Sequence, residues 1–507
     1  VCETIGDTAF SSCSNLKSIT FPDSLKTIGG YSGFYGTAIE SVTIPASVET
    51  IRVNAFFGAA MLKSITFAEN SKLKEIGDKA FSGTAITSFS FPETSGSIKI
   101  NSNATLFQGC SLLSELHISS SVPDITAAIA NCPSIKHIYV DENNKNFSTN
   151  EEHTMLLNAN KTAIKYICGV LDEETVSITD GIKTIGARVF SGQWKVKKFI
   201  IPESVRVIDD RAFENCISLT EIEFKKNGSL VEIGSSLFAG CKNLAKVTLP
   251  ETVTKMGDEA FRYSSVQEVY IPDSVTTIGK QTFYGVTTLN KVTGMGGLTS
   301  IPEYMFYGSG ITTVEIGESC TAIQNYAFQR CKNLVSVSGM KNVANIGRSA
   351  FEGCESLREI AFSDKIRTIT DNAFINCSSL STVTGLDEIT DLSAGTFKNC
   401  TSLKTISLPS VTTVGNEAFA GSGVVTASLP KATKLGLGVF DGCAALENVT
   451  LCDDLTDIGQ RTFRNCVSLE SITLPKNLTN LNQRSFMGSG LVSIELPVGI
   501  DRIDNAS

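Results

Sequence analysis

The chain of 507 residues is poor in several things that catalytic, nucleic-acid-binding and membrane proteins need. It has three histidines, His117, His137 and His153, too few for a nucleophile–His–acid set, and none lies beside cysteines at zinc spacing. It has no basic excess: 43 Lys and Arg against 52 Asp and Glu leave a formal net charge of −9, which excludes an electropositive nucleic-acid surface. No apolar run approaches the roughly 18 residues of a helical membrane span. No charged-then-apolar leader follows Val1. There is one tryptophan, Trp194. Gly436-Leu437-Gly438 lacks the rest of a dinucleotide fingerprint, and the carboxylate pairs Asp453-Asp454 and Glu173-Glu174 fall in turns. No enzyme, cofactor or metal is expected from these residues.

What the chain does have is a phenylalanine about every 23 residues, at Phe213, Phe238, Phe261, Phe283, Phe306, Phe328, Phe351, Phe374, Phe397, Phe419, Phe440, Phe463 and Phe486. A period in this range belongs to a solenoid, in which one unit cannot bury its apolar face alone and neighbouring copies stack. One copy reads Leu403, Ile406, Leu408, Pro409, Val411, Val414, Gly415, Ala418, Phe419. The alternation in L-x-x-I-x-L predicts one strand per coil with two residues inward and the one between them outward. In register, these strands build a parallel sheet. Proline ends the strand because it has no N–H to donate, as at Pro22, Pro202, Pro250, Pro409 and Pro475. The Gly after Ile is expected to supply a turn of unusual φ, and the Ala-Phe step a turn of helix or 3₁₀, with Phe stacked on Phe inside.

Fifteen cysteines do not read as a disulfide framework. Cys13, Cys110, Cys132, Cys216, Cys241, Cys331, Cys354, Cys377, Cys400, Cys443 and Cys466 share one repeat position, where other coils carry Thr37, Ala59, Thr84, Ser264, Val286, Ser309, Ser422 or Ser489. That is a small buried slot. Parallel side chains about 4.8 Å apart along such a lane are poorly aimed for pairing, so buried free thiols are expected.

The frame L-x-x-I-x-L-P followed by I-G-x-x-A-F-x-x-C resembles the BspA-type (Treponema pallidum-type) leucine-rich repeat over almost the whole chain. The resemblance implies a repeat solenoid, a leucine-rich repeat with a long parallel β-sheet on the concave face and short turns, 3₁₀ segments or short strands on the convex side. It also implies a cell-surface or secreted, non-enzymatic protein of a bacterium or anaerobic protist, engaged in protein binding or attachment to host macromolecules. The partner is then a protein, with a glycan as the second option. A structural spacer or self-assembling surface subunit is the competing reading. The array begins and ends in mid-coil, which reads as a piece of a longer protein.

The repeat frames residues 1–140 and 171–507. Between them, 141–170 carries Met155-Leu156-Leu157 and Ala163-Ile164-Lys165-Tyr166-Ile167 around an Asn-rich turn, which predicts a β-hairpin. Asp141, Asn143 and Asn146 lack the spacing and glycine of a calcium loop. The polar segment from Ser95 to Thr105 is expected to be a surface loop.

The outward strand position is mostly Thr or Ser, as suits an exposed sheet, but the middle of the array departs from this with His117, Tyr139, Ile200, Glu223 and Tyr270. Two residues earlier, Lys198, Glu221, Lys246, Glu268 and Lys291 alternate in sign on successive strands. These positions, with His137 and Trp194, form the candidate ligand patch. The same alternation also serves plain cross-strand charge pairing.

Overall fold

A computed structural model describes residues 2–100, 105–130 and 132–504. Each coil turns on its phenylalanine. From Phe306 to Phe486 every repeat Phe is fully or nearly buried or packed into the column, and the Phe328, Phe351 and Phe374 rings follow one another at 5.0 and 5.1 Å, their planes within 6° and 4°. Ala and Phe of neighbouring coils are also tied by backbone bonds: the Phe328 N–H donates to the Ala350 carbonyl at 2.7 Å and that of Phe351 to Ala373 at 2.8 Å.

Most coils carry a second, short strand besides the one of the L-x-x-I-x-L segment, as the resemblance allowed. The L-x-x-I-x-L segment gives one set of parallel strands, such as Ser41–Ile44 paired in register with Ser64–Phe67. The apolar stretch before Gly gives a second set of two-residue strands, such as Ser300–Ile301, Ala322–Ile323, Asn345–Ile346 and Thr368–Ile369. The first set is broken into short sheets. Lys246–Thr248, Glu268–Ile271 and Lys291–Gly294 form one, Thr313–Glu315 and Ser336–Ser338 the next, Glu359–Ala361 and Thr382–Thr384 the next. These three sheets end at or just before a left-handed glycine, Gly294 (φ 86), Gly339 (φ 79) or Gly385 (φ 78), whereas the breaks after Phe67 and Phe224 have none. At Gly294 a Cβ would stand 1.7 Å from the Ile271 carbonyl oxygen, so only glycine makes this turn.

The glycine of Ile-Gly plays another part than expected. Gly257, Gly347 and Gly415 are not in the left-handed region; each lies so near the preceding coil that a Cβ would sit 2.5 Å from a backbone nitrogen. The left-handed residues are instead two before and two after each Phe, as in Asn372 (φ 59) and Asn376 (φ 62) around Phe374. These turns, not a helix, carry the chain past the phenylalanine. Asn and Gly recur at the second of them because they tolerate this conformation best.

The cysteine lane is buried from Cys110 onward, while Cys13, in the first described coil, is exposed. Where the slot holds Cys in these coils, the thiol is a donor. The thiols of Cys331, Cys354, Cys377 and Cys400 point at the carbonyls of Phe306, Phe328, Phe351 and Phe374 in the preceding coil, at 2.9 to 3.2 Å. Thr84 uses its hydroxyl on the Phe81 carbonyl at 2.9 Å. Removal from water drives the thiols' pKa values up, those of Cys331 and Cys400 to about 12.

By contact density the chain divides into two units, one running to Val196 and including Ile200–Phe213, the other holding Lys197–Phe199 and continuing from Glu214. In the first, the insert is a three-stranded meander, not a single hairpin. Phe147–Thr149 pairs antiparallel with Met155–Asn158, which pairs with Ala163–Ile167, and that strand runs parallel to Thr184–Ile185. Its two turns are built alike. Asn150 Oδ1 accepts from Thr154 and Met155 N–H at 2.9 and 2.8 Å, and Asn158 Oδ1 from Thr162 and Ala163 at 2.7 and 2.9 Å. The segment expected to be a loop from Ser95 contains a strand, Lys99–Ile100, paired with Glu75–Ile76; residues 101–104 of it lie outside those described. Among the described residues no helix is long and apolar enough to cross a membrane.

Candidate functional site

The strands Glu115–Ile118 and His137–Val140 hydrogen-bond in parallel with Leu116 facing Ile138 and His117 facing Tyr139. Leu116 and Ile138 are buried, which forces the alternate residues onto the outer face. There His117 and Tyr139 stack, ring centroids 4.6 Å apart and planes 15° from parallel, and His137 lies 6.4 Å from the same tyrosine. The insert supplies a further ring. His153, left-handed at φ 57, brings its imidazole 4.6 Å from Tyr139 and its Nδ1 3.0 Å from Thr149 Oγ1, while its carbonyl accepts the Ile138 N–H at 2.8 Å. All three histidines of the chain therefore meet at one tyrosine. The four side chains are half-buried, less open than a bare strand face. His153 escapes a reading of the repeat because it stands outside the period; only folding of the meander brings it here. Among the described residues no group of three His, Cys, Asp or Glu is placed to hold a metal.

Trp194, in the same unit, belongs to the loop before the strand Lys198–Ile201, not to a strand position; it is 49% exposed, with the Lys195 ammonium 5.2 Å from its ring centroid and Lys195 ion-paired to Asp172. Ile200 is half-buried at an outward strand position.

In the other unit the alternating lane is paired within itself from Lys198 to Glu268. Lys198 reaches Glu221 at 2.7 Å and Glu223 at 2.9 Å, Lys225 reaches Glu223 at 2.8 Å, and Lys246 reaches Glu268 at 3.2 Å. Lys291 stands in register beside Glu268. Hydrogen bonds to Lys225 and then Lys198 hold the Glu223 carboxyl down at about 2, and those to Glu221 and then Glu223 push the Lys198 ammonium up. Tyr270 donates its hydroxyl to Glu251 at 2.8 Å. Most of the charge lane is thus engaged in cross-strand pairs, and of the twelve candidate residues three join a histidine–tyrosine cluster in one unit, seven lie along the lane from Lys198 to Lys291 in the other, and Trp194 and Ile200 belong to neither.

With this geometry in place, the comparisons with known proteins are informative. The family model described as BspA type leucine rich repeat region (6 copies) matches residues 1–104, 30–151, 168–290, 225–335, 254–380, 326–447 and 433–507. Among curated proteins none matches the chain. A leucine-rich repeat protein from Bacteroides ovatus is 26% identical with a TM-score of 0.52, covering 70% of this chain and 88% of its own. A leucine rich cell surface protein from Faecalibacterium prausnitzii is 27% identical with a TM-score of 0.40, over 60% of this chain and 94% of its own. The pneumococcal vaccine antigen PcpA is 22% identical with a TM-score of 0.38, over 68% and 72%. Family matches that run through nearly every coil, on a solenoid with the repeat's own Phe column and strand register, place the chain in the BspA-type leucine-rich repeat family.

Proposed function

We propose that this protein is a non-enzymatic, cell-surface or secreted binding module whose partner is a protein, taken up on the outward faces of the first strand set. The observation that carries the reading is the convergence of His117, His137 and His153 on Tyr139, with His117 and Tyr139 at outward strand positions that elsewhere mostly hold Thr or Ser. Half-buried aromatic rings fixed by neighbours have little entropy to lose on binding and are the residue types on which interface energy concentrates. A sugar stacking on an open ring face fits less well, since imidazoles already pack on Tyr139 and Tyr270 is tied to Glu251. Family membership supports the surface location.

The test is surface plasmon resonance against a panel of purified host extracellular-matrix and cell-surface proteins. For a partner so found, Tyr139→Ala should weaken binding by about 1–2 kcal/mol or more. Tyr270→Ala is expected to act similarly if the second unit takes part. Ser407→Ala and Thr450→Ala, outward but far along the array, should change nothing. Lys246→Glu should alter the association rate and its salt dependence more than the dissociation rate. Equal losses from all these positions, or none from Tyr139, would remove the strand face as the site and leave a spacer as the better reading.

A further inference from the structure

Four successive coils of the second unit place five of the chain's ten tyrosines on the turns around Phe261, Phe283, Phe306 and Phe328, away from both strand sets. The residue after each Phe is Arg262, Tyr284 and Tyr307 in the first three coils, and the fourth adds Arg330. The Tyr284 and Tyr307 rings stack at 4.5 Å with planes 8° apart. The Arg262 guanidinium lies 5.2 Å over Tyr284 and that of Arg330 5.8 Å over Tyr307. Because the coils follow in order, the two cations close the two ends of the tyrosine pair. Tyr304 and Tyr326 stack beside it at 4.7 Å, with Tyr304 edge-on to Tyr307. Tyr263 lies against Gly285, where a Cβ would meet its ring at 2.5 Å, so the coil has kept that seat free of a side chain.

We infer that this Arg–Tyr–Tyr–Arg stack is a second docking surface, whose occupant is a protein segment bearing carboxylates. Ring faces covered by other rings and by guanidinium groups cannot take the face of a sugar; what is left to a partner is ring edges and the guanidinium fork of exposed Arg330. The charge points the same way. Arg262 donates to Glu259 at 2.8 Å and Lys280 pairs with Glu303 at 2.7 Å, whereas exposed Arg330 has no ion-pair partner among the described residues. In a chain of net charge −9 this is a local uncompensated cation set in hydroxyl donors, and a guanidinium fork matches a carboxylate in two parallel bonds. Tyr and Arg are also the residues enriched where interfaces hold most of their energy.

The experiment is selection of a random peptide library displayed on phage against the intact chain, with affinities of the enriched peptides measured by fluorescence anisotropy. The expected result is enrichment of peptides rich in Asp and Glu that bind at least tenfold more weakly to Arg330→Ala and to Tyr307→Ala. Tyr139→Ala should bind them unchanged, which separates this surface from the strand-face reading. Arg330→Lys should restore little, because it keeps the charge and loses the fork. Arg330 is exposed, so its variants test binding without risking the fold. Failure to enrich acidic peptides, or binding indifferent to Arg330 and Tyr307, overturns the inference. So does a parallel arm with heparin if the same variants abolish heparin binding and leave the peptides untouched, since the occupant is then a sulfated polysaccharide.

Discussion

Phe351→Ala should destabilise the protein by about 3–5 kcal/mol, the range for truncating a large buried ring. Phe351 is fully buried with Phe328 on one side at 5.0 Å and Phe374 on the other at 5.1 Å, both nearly parallel. Truncation therefore opens a void shared by three coils and removes two aromatic contacts worth about 0.5–1.5 kcal/mol each beyond their buried area. The backbone cannot close it, because the Phe351 N–H is fixed to Ala373 and the Cys377 thiol to the Phe351 carbonyl. In a solenoid each coil is held only by its neighbours, so a weak coil also divides the cooperative unit. Thermal and urea unfolding should show a lower, broader or split transition. Thr384→Ala, exposed on a strand, is the control; an equal shift from both would mean that the phenylalanine column does not carry the fold.

How legible was this molecule in its sequence? The parts set by period were plain. A 23-residue spacing of Phe, alternation in L-x-x-I-x-L and a small residue three after Phe each follow from what a stacked coil must bury, and each is found at its place. Conformational detail within the turn was harder. The Ile-Gly glycine is selected by the approach of the previous coil and not by φ, a distinction invisible in one coil alone, since the clash is with a residue about 23 positions away. The real signal of left-handed backbone, Asn or Gly two after Phe at Asn376, Asn399, Gly421, Gly442 and Asn465, is present in the sequence but masked by Arg330 and Tyr263, which accept the same conformation. Function was least legible. The outward lanes gave His117, His137 and Tyr139, yet His153 joins them only through the meander, and the tyrosines of the turn face sit at three different offsets from Phe, so no single lane shows them.

Alkaline pH should weaken the fold far more than the exposed ion pairs alone would, and the buried thiols give the reason. A Cys whose pKa rises from an ordinary 9.0 to about 12 on burial, as at Cys331 and Cys400, contributes stability that is fully present below the unfolded value and is lost as pH climbs towards the folded one. Near about pH 11 each such thiol costs about 2–3 kcal/mol, because the unfolded chain ionises it and the folded chain cannot. Cys354 and Cys377, buried between them, are also raised well above the ordinary value, mainly by the same desolvation. Together the four give this stretch a marked sensitivity to base. Urea midpoints measured from about pH 8 upward should fall steeply for the native sequence. They should fall much less for the combined variant Cys331→Ser, Cys354→Ser, Cys377→Ser and Cys400→Ser, whose hydroxyls can still donate to a Phe carbonyl, as Thr84 does to Phe81 of its own coil, and do not ionise. Below pH 8 a thiol reagent should find Cys2 and Cys13 quickly and the lane only after unfolding, since the former are exposed and the latter buried. Parallel pH profiles for the two proteins would show that the thiols are either ionised in place or paired as disulfides, and either result would displace the carbonyl-bonded lane as the reason Cys recurs in this repeat.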